Sequence, residues 1–239
     1  MNFIDEVKGL IDSAKVREAS ENFLNDAIDS VLGSPMAAAK LLITLGKSPF
    51  FIQNELFWNK FSRFLNGVFI DENARSKMVV KIESVGDKKD NAIRLIDAIE
   101  RSDSLRKVDY LINATRCLLA DYVDLTKYFR ICRAVSETLL EDLIYLREHI
   151  SEDKLAYSEE VQGLISAGLM YMSYVGEQPQ YSFTPIANDV DKYAISSDDI
   201  NRYPNLRKAF EKVKQVSVST SGPKCEVIGE ELVMGPVTK

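Results

Sequence analysis

His149 is the one histidine in 239 residues, and that bounds the chemistry open to this chain. A metal site built on a histidine pair needs two, so that class is excluded. As a general base, His149 needs a hydroxyl, thiol or carboxylate brought to it from elsewhere in the chain. Its setting, LREHIS, closes a long stretch with helical periodicity. A cation at a helix C-terminus is favoured by the dipole there, and this accounts for the residue without catalysis. The cysteines are Cys117, Cys132 and Cys225. Their spacing fits no zinc pattern, and an odd number closes no disulfide framework. A reducing compartment, the cytoplasm, is therefore expected. Cys117 and Cys132 fall on apolar seams, where a thiol packs as a small hydrophobe. Carboxylates pair at Glu141-Asp142, Glu159-Glu160, Asp198-Asp199 and Glu230-Glu231. Neighbours on a helix point about 100° apart, so such pairs do not converge on one bond. No phosphate-cradling glycine loop, dinucleotide fingerprint, calcium loop or kinase signature occurs. No catalytic, cofactor-binding or metal residue is expected, and the chain reads as a non-enzyme.

A second kind of chemistry, surface contact, is concentrated in FFIQNELFWNKFSRFLNGVF, residues 50–69, which holds seven of the 22 aromatic residues and the only tryptophan. At 100° per residue, Phe61, Phe64 and Val68 fall within about 40° of Phe57. Trp58, Leu65 and Phe69 widen the stripe, while Glu55, Asn59, Lys60, Arg63 and Asn66 make the opposite face polar. Such a stripe packs into a core, meets a partner or second copy, or lies on a membrane surface. Between Lys40 and Lys81 there are seven basic and three acidic residues, a local +4 in a chain whose total is −6. An apolar helix in a basic segment suits an anionic membrane surface. Phe57, Trp58, Lys60, Phe61, Arg63 and Phe64 are accordingly the candidate contact residues. Elsewhere the acidic balance repels nucleic acid unless basic residues are segregated.

Helices must position these residues. Residues 3–32 carry an amphipathic pattern, stopped by Gly33-Ser34-Pro35. MAAAKLLITL, residues 36–45, is an apolar helix too short to span a bilayer. Pro49 suits a first helical turn with Ser48 as its cap. Further helices are expected at 71–84 and 87–100. Two long ones start at Ser104 and Asp124, the second running to Ile150 with Leu139 on its buried face. Their short connection implies an antiparallel helical hairpin. From Ser158 the pattern changes to a short helix, SEEVQGLISAG. The alternating LMYMSYV follows, then the turn GEQPQ, YSFTPI and a helix, ANDVDKYAI.

Ser158 to Ile195 resembles the closing half of winged-helix domains. The implied recognition helix carries Glu159 and Glu160 with no cation, and the wing tip carries Glu177. Both have the wrong sign for phosphate, so nucleic acid is not the expected partner. As a whole, the Pro-led apolar segment, aromatic helix and hairpin before a wing resemble helical bacterial proteins carried by prophages and phage-defence islands. That resemblance implies an effector acting through residues 35–69, and transfers no functional residue.

The expected fold is mainly α. A helical domain spans 1–150, a winged-helix-like α+β module 151–216 and a flexible tail 217–239. The N-terminus shows no basic stretch followed by an apolar one, so no secretory signal is expected. The expected function is non-enzymatic interaction at a protein partner or second copy. The protein is then cytoplasmic, or peripheral at a membrane, and takes no cofactor. The alternative is a winged-helix DNA-binding regulator.

Overall fold

The computed structural model describes residues 3–11, 23–46, 51–152, 155–175 and 177–196. The expected tail 217–239, residues 197–216 of the expected module, and Ser48, Pro49 and Cys225 lie outside these residues. The described chain is mainly helical with one small antiparallel sheet. Its elements are α1 Phe3–Ile11, α2 Phe23–Val31, α3 Pro35–Gly46, α4 Phe51–Val68, α5 Glu72–Glu83, α6 Lys88–Arg101, α7 Leu105–Leu119, α8 Leu125–Glu137, α9 Leu140–His149, α10 Glu159–Ser166, β1 Met170–Val175, β2 Gln178–Phe183 and α11 Pro185–Val190. A wider π-helical segment, Asp191–Ile195, follows. Among the described residues no helix is long and apolar enough to cross a membrane.

Short polar side chains open the helices. Asp71, Asp87, Ser104, Asp124, Ser158 and Thr184 each accept a hydrogen bond from a backbone N–H two or three residues on. This satisfies donors that the first turn leaves unpaired. The turn before α3 depends on Gly33, whose φ is +91°. A side chain there would also run into Arg75, whose Cγ lies 2.9 Å from the position of an added Cβ. Arg75 in turn bonds Glu6 at 2.6 Å and lies over the Phe3 ring at 4.8 Å, holding α1 to α5.

Helix α7 is the centre of the molecule. Eleven of its 15 residues are buried, and it packs on α4, α5, α8 and the π-helical segment. The apolar run of α3 is core: Ala37, Ala38, Ala39, Leu41 and Leu45 are buried. At the far end α7 closes through Asp121, in the left-handed region at φ 63°. The Asp121 N–H bonds Leu118 O and the Tyr122 N–H bonds Cys117 O, the paired bonds that end many helices at a left-handed residue.

The expected second long helix is two helices. α8 stops at Glu137; Thr138 is extended (φ −88°, ψ 140°) and α9 starts afresh after Leu139. Leu139 was expected on a buried face, and it is instead 60% exposed in the break. Two local interactions account for the stop. Thr138 Oγ1 donates back to Ala134 O at 2.7 Å, which competes with continuation of the helix. The Lys107 ammonium, on a side chain 1% exposed, takes Ser136 O at 3.0 Å and Asp103 at 3.0 Å, satisfying a carbonyl near the C-terminus of α8. Hydrophobic spacing carries through the break, so periodicity alone does not reveal it.

Candidate functional site

α4 places the six candidate contact residues very differently. Phe61 and Phe64 are 0% exposed, and Leu65, Val68 and Phe69 are buried with them. Phe57 and Trp58 are half-buried and pack against the same core. The Phe57 and Phe61 rings stack at 5.2 Å, and Trp58 lies tilted 6.4 Å from Phe61. Of the three readings of the stripe, packing into the core describes Phe61 and Phe64. Contact through them requires α4 to leave the helices packed on it, α1, α3, α6 and α7.

The basic face of α4 is occupied as well. Lys60 donates from Nζ to Glu100 O and, at 3.1 Å, to Ser102 O, at the end of α6. Partial burial pulls its pKa down, opposed by Glu100 and Asp103. Arg63 makes a two-pronged pair with Asp109 at 2.6 and 2.7 Å, and this bond holds its pKa up. Arg75 pairs with Glu6 and Lys81 with Asp121. The local +4 of residues 40–81 is thus offset by acids from outside that stretch. Sequence reasoning missed this because each acid lies 40 to 69 residues away.

The residues expected to stand outside chemistry can now be placed. His149 is in the last turn of α9. Its ring stacks on Tyr145 at 4.0 Å, and Nδ1 lies 2.9 Å from Tyr145 O. A carbonyl is only an acceptor, so the proton sits on Nδ1. Asp142, buried in the first turn of α9, faces Gly163 of α10 so closely that an added Cβ would strike its carboxylate. Burial, then Glu160 and Glu141, push the Asp142 pKa up. Cys117 and Cys132 are free and buried, and burial pushes both thiols up to about 12. A thiol that keeps its proton is a poor nucleophile. Among the described residues no group of His, Cys, Asp or Glu is placed to hold a metal ion.

Two features escaped the sequence reading. A cavity of about 350 Å³ between α6 and α8 is lined by Arg94, Asp97, Arg101, Phe129, Cys132, Arg133 and Glu137. Arg101 and Arg133 pair there with Asp97 and Glu137, and Arg94 lies 3.9 Å over Phe129. The second is the exposure of the β1–β2 ribbon, a hairpin that the sequence pattern itself announces. Its base packs: Leu169, Met170 and Tyr181 are buried. Beyond the base, Tyr171, Met172, Tyr174 and Val175 are exposed, Tyr174 by 66% and Val175 by 67%. The alternation in LMYMSYV signals the strand, but both faces emerge because nothing covers its outer half among the described residues. Glu177 is the only charge from Leu169 to Thr184. Contiguous exposed apolar surface of this kind marks interaction sites.

No family model, curated protein or solved structure matches this chain.

Proposed function

We propose that the chain is a non-enzymatic interaction protein. A helical region, with α7 and α8 as an antiparallel hairpin, carries a winged-helix-like module, and that module presents the ribbon as its contact surface. The observation behind this reading is the run of exposed, uncharged side chains Tyr171, Met172, Tyr174 and Val175. Tyrosine and methionine are enriched where proteins meet. In the effector version, α4 is a second contact element at a partner or an anionic membrane surface. That version needs an opened state, since Phe61 and Phe64 are enclosed in this one. The rival reading, a DNA-binding regulator, draws support from the helix–strand–strand–helix order of α10, β1, β2 and α11. Against it stand Glu159, Glu160 and Glu177 where a duplex would lie.

The test is a photo-crosslinking side chain at position 174, with position 89 on α6 as an exposed control. A protein adduct at 174 and none at 89 is the expected result. Duplex DNA retained at nanomolar protein, with no protein adduct, would replace the interaction reading by the regulator.

A further inference from the structure

The cavity between α6 and α8 gathers three guanidinium groups, Arg94, Arg101 and Arg133, and two carboxylates, Asp97 and Glu137. It is locally positive in a chain whose net charge is −6. Arg94 and Arg101 stand about two turns apart on α6, and Arg133 reaches in from α8. Glu137 shows how an anion is held between the two helices. Both of its oxygens accept from Arg133 Nε, at 3.1 and 3.0 Å, and Arg101 Nη1 lies 3.8 Å from Oε1. One carboxylate thus serves guanidiniums from both sides. Arg94 has none. Among the described residues no acid pairs with it, and its guanidinium lies 3.9 Å over the Phe129 ring. Phe129 is buried, so the stack fixes Arg94 at the cavity wall and leaves its N–H donors free for a ligand. The pairs already present are easily exchanged. The side chains of Asp97, Arg101 and Arg133 are at least half exposed, and ion pairs between exposed groups gain little over water.

We propose that this cavity binds a small organic phosphate monoester, its phosphate held by Arg94, Arg101 and Arg133. The site is separate from the ribbon and does not rest on the interaction reading. Geometry, charge and size select the ligand. Planar guanidinium forks match phosphate oxygens two at a time. A tetrahedral phosphate receives forks from several directions, where the flat carboxylate of Glu137 accepts near one plane. At neutral pH a phosphate monoester carries more charge than a carboxylate, so it meets the surplus cation and displaces Glu137 from its partners. A volume of about 350 Å³ is at the lower end for small-molecule sites. It is far more than a bare phosphate fills, so an organic body accompanies the anion, against Ala98, Phe129 and Cys132.

Isothermal titration calorimetry of the full chain with phenyl phosphate, benzoate and inorganic phosphate tests this. Phenyl phosphate and benzoate share a ring and differ in the anion. Phenyl phosphate and inorganic phosphate share the anion and differ in the body. Phenyl phosphate should bind at least about fivefold tighter than either. Arg133→Gln and Arg94→Lys should each weaken it at least about fivefold, the second because lysine keeps the charge and loses the fork. Glu137→Gln removes the competing carboxylate and should tighten it. Lys77→Gln, at an exposed position on α5, should leave it unmoved. Helical circular dichroism should be unchanged in all four variants. If Arg94→Lys loosens α6 from α8, Arg133→Gln carries the comparison, since that side chain is 77% exposed. Phenyl phosphate that fails to bind at millimolar concentration overturns the proposal. So does equal binding of benzoate or of inorganic phosphate, or binding that Arg133→Gln leaves unchanged.

Discussion

The surroundings of Asp142 disfavour its charged form. It sits in a first helical turn, where a negative charge is welcome, yet burial and the carboxylates of Glu160 and Glu141 raise its pKa. A raised carboxyl pKa means the folded state holds its proton more tightly than the unfolded chain. Its contribution to stability is then greatest below the ordinary value of 3.8 and is lost as pH rises through the folded value. Asp142→Asn should therefore raise the urea midpoint at pH 7, and the gain should shrink as the pH falls toward 4. A lower midpoint at pH 7 would mean that the first-turn charge matters more than its burial. At this scale the sequence was informative about caps: Ser104, Asp124 and Ser158 stand where helices were expected to begin. It was silent about ion pairs such as Arg63 with Asp109, because nothing local announces a partner 46 residues away.

The break between α8 and α9 changes what two leucines are worth. Leu139 is exposed in the break, and Leu143, four residues on, is 0% exposed. Leu139→Ala should move stability by less than about 0.5 kcal/mol. Leu143→Ala should cost about 2–5 kcal/mol, since it empties a packed site. Chemical denaturation of the two variants side by side distinguishes a broken helix from a continuous one, which would make both substitutions costly. The break was hidden for a physical reason. Tyr128, Cys132, Val135, Leu143 and Leu146 are all buried, so core-facing residues recur at helical spacing on both sides. What interrupts the helix is a back-bonded Thr138 hydroxyl and the ammonium of Lys107, 29 residues from Ser136 in the chain. The shorter elements were easier to read. Helices at 72–83 and 88–101 and the strand at 170–175 end at polar or glycine punctuation close to where pattern placed them.

For the molecule as a whole, the question is whether α4 stays docked. Phe61 is enclosed by the fold, and Lys60 and Arg63 are already bonded to α6, the turn after it, and α7. Phe61→Ala should cost about 3–5 kcal/mol. In the intact protein, Trp58 emission should not shift when anionic vesicles are added. A blue shift on vesicles, together with an undamaged Phe61→Ala variant, would instead place α4 on a membrane. The aromatic stripe was plain in the sequence. Which of its faces meets solvent was not, because that depends on α1, α3, α6 and α7 packing on it.

The uncharged ribbon has a consequence for how ionic strength acts on this protein. The long-range force between two copies is the mutual repulsion of their net −6 charges, and added electrolyte shortens its reach. Contacts made through Tyr171, Met172, Tyr174 and Val175 offer no attraction for ions to screen. A partner docked there through apolar and backbone groups would be held at least as firmly in concentrated salt as in dilute. Two acidic copies approach each other more readily in concentrated salt. A duplex or an anionic bilayer behaves in the opposite sense, loosening as counterions compete.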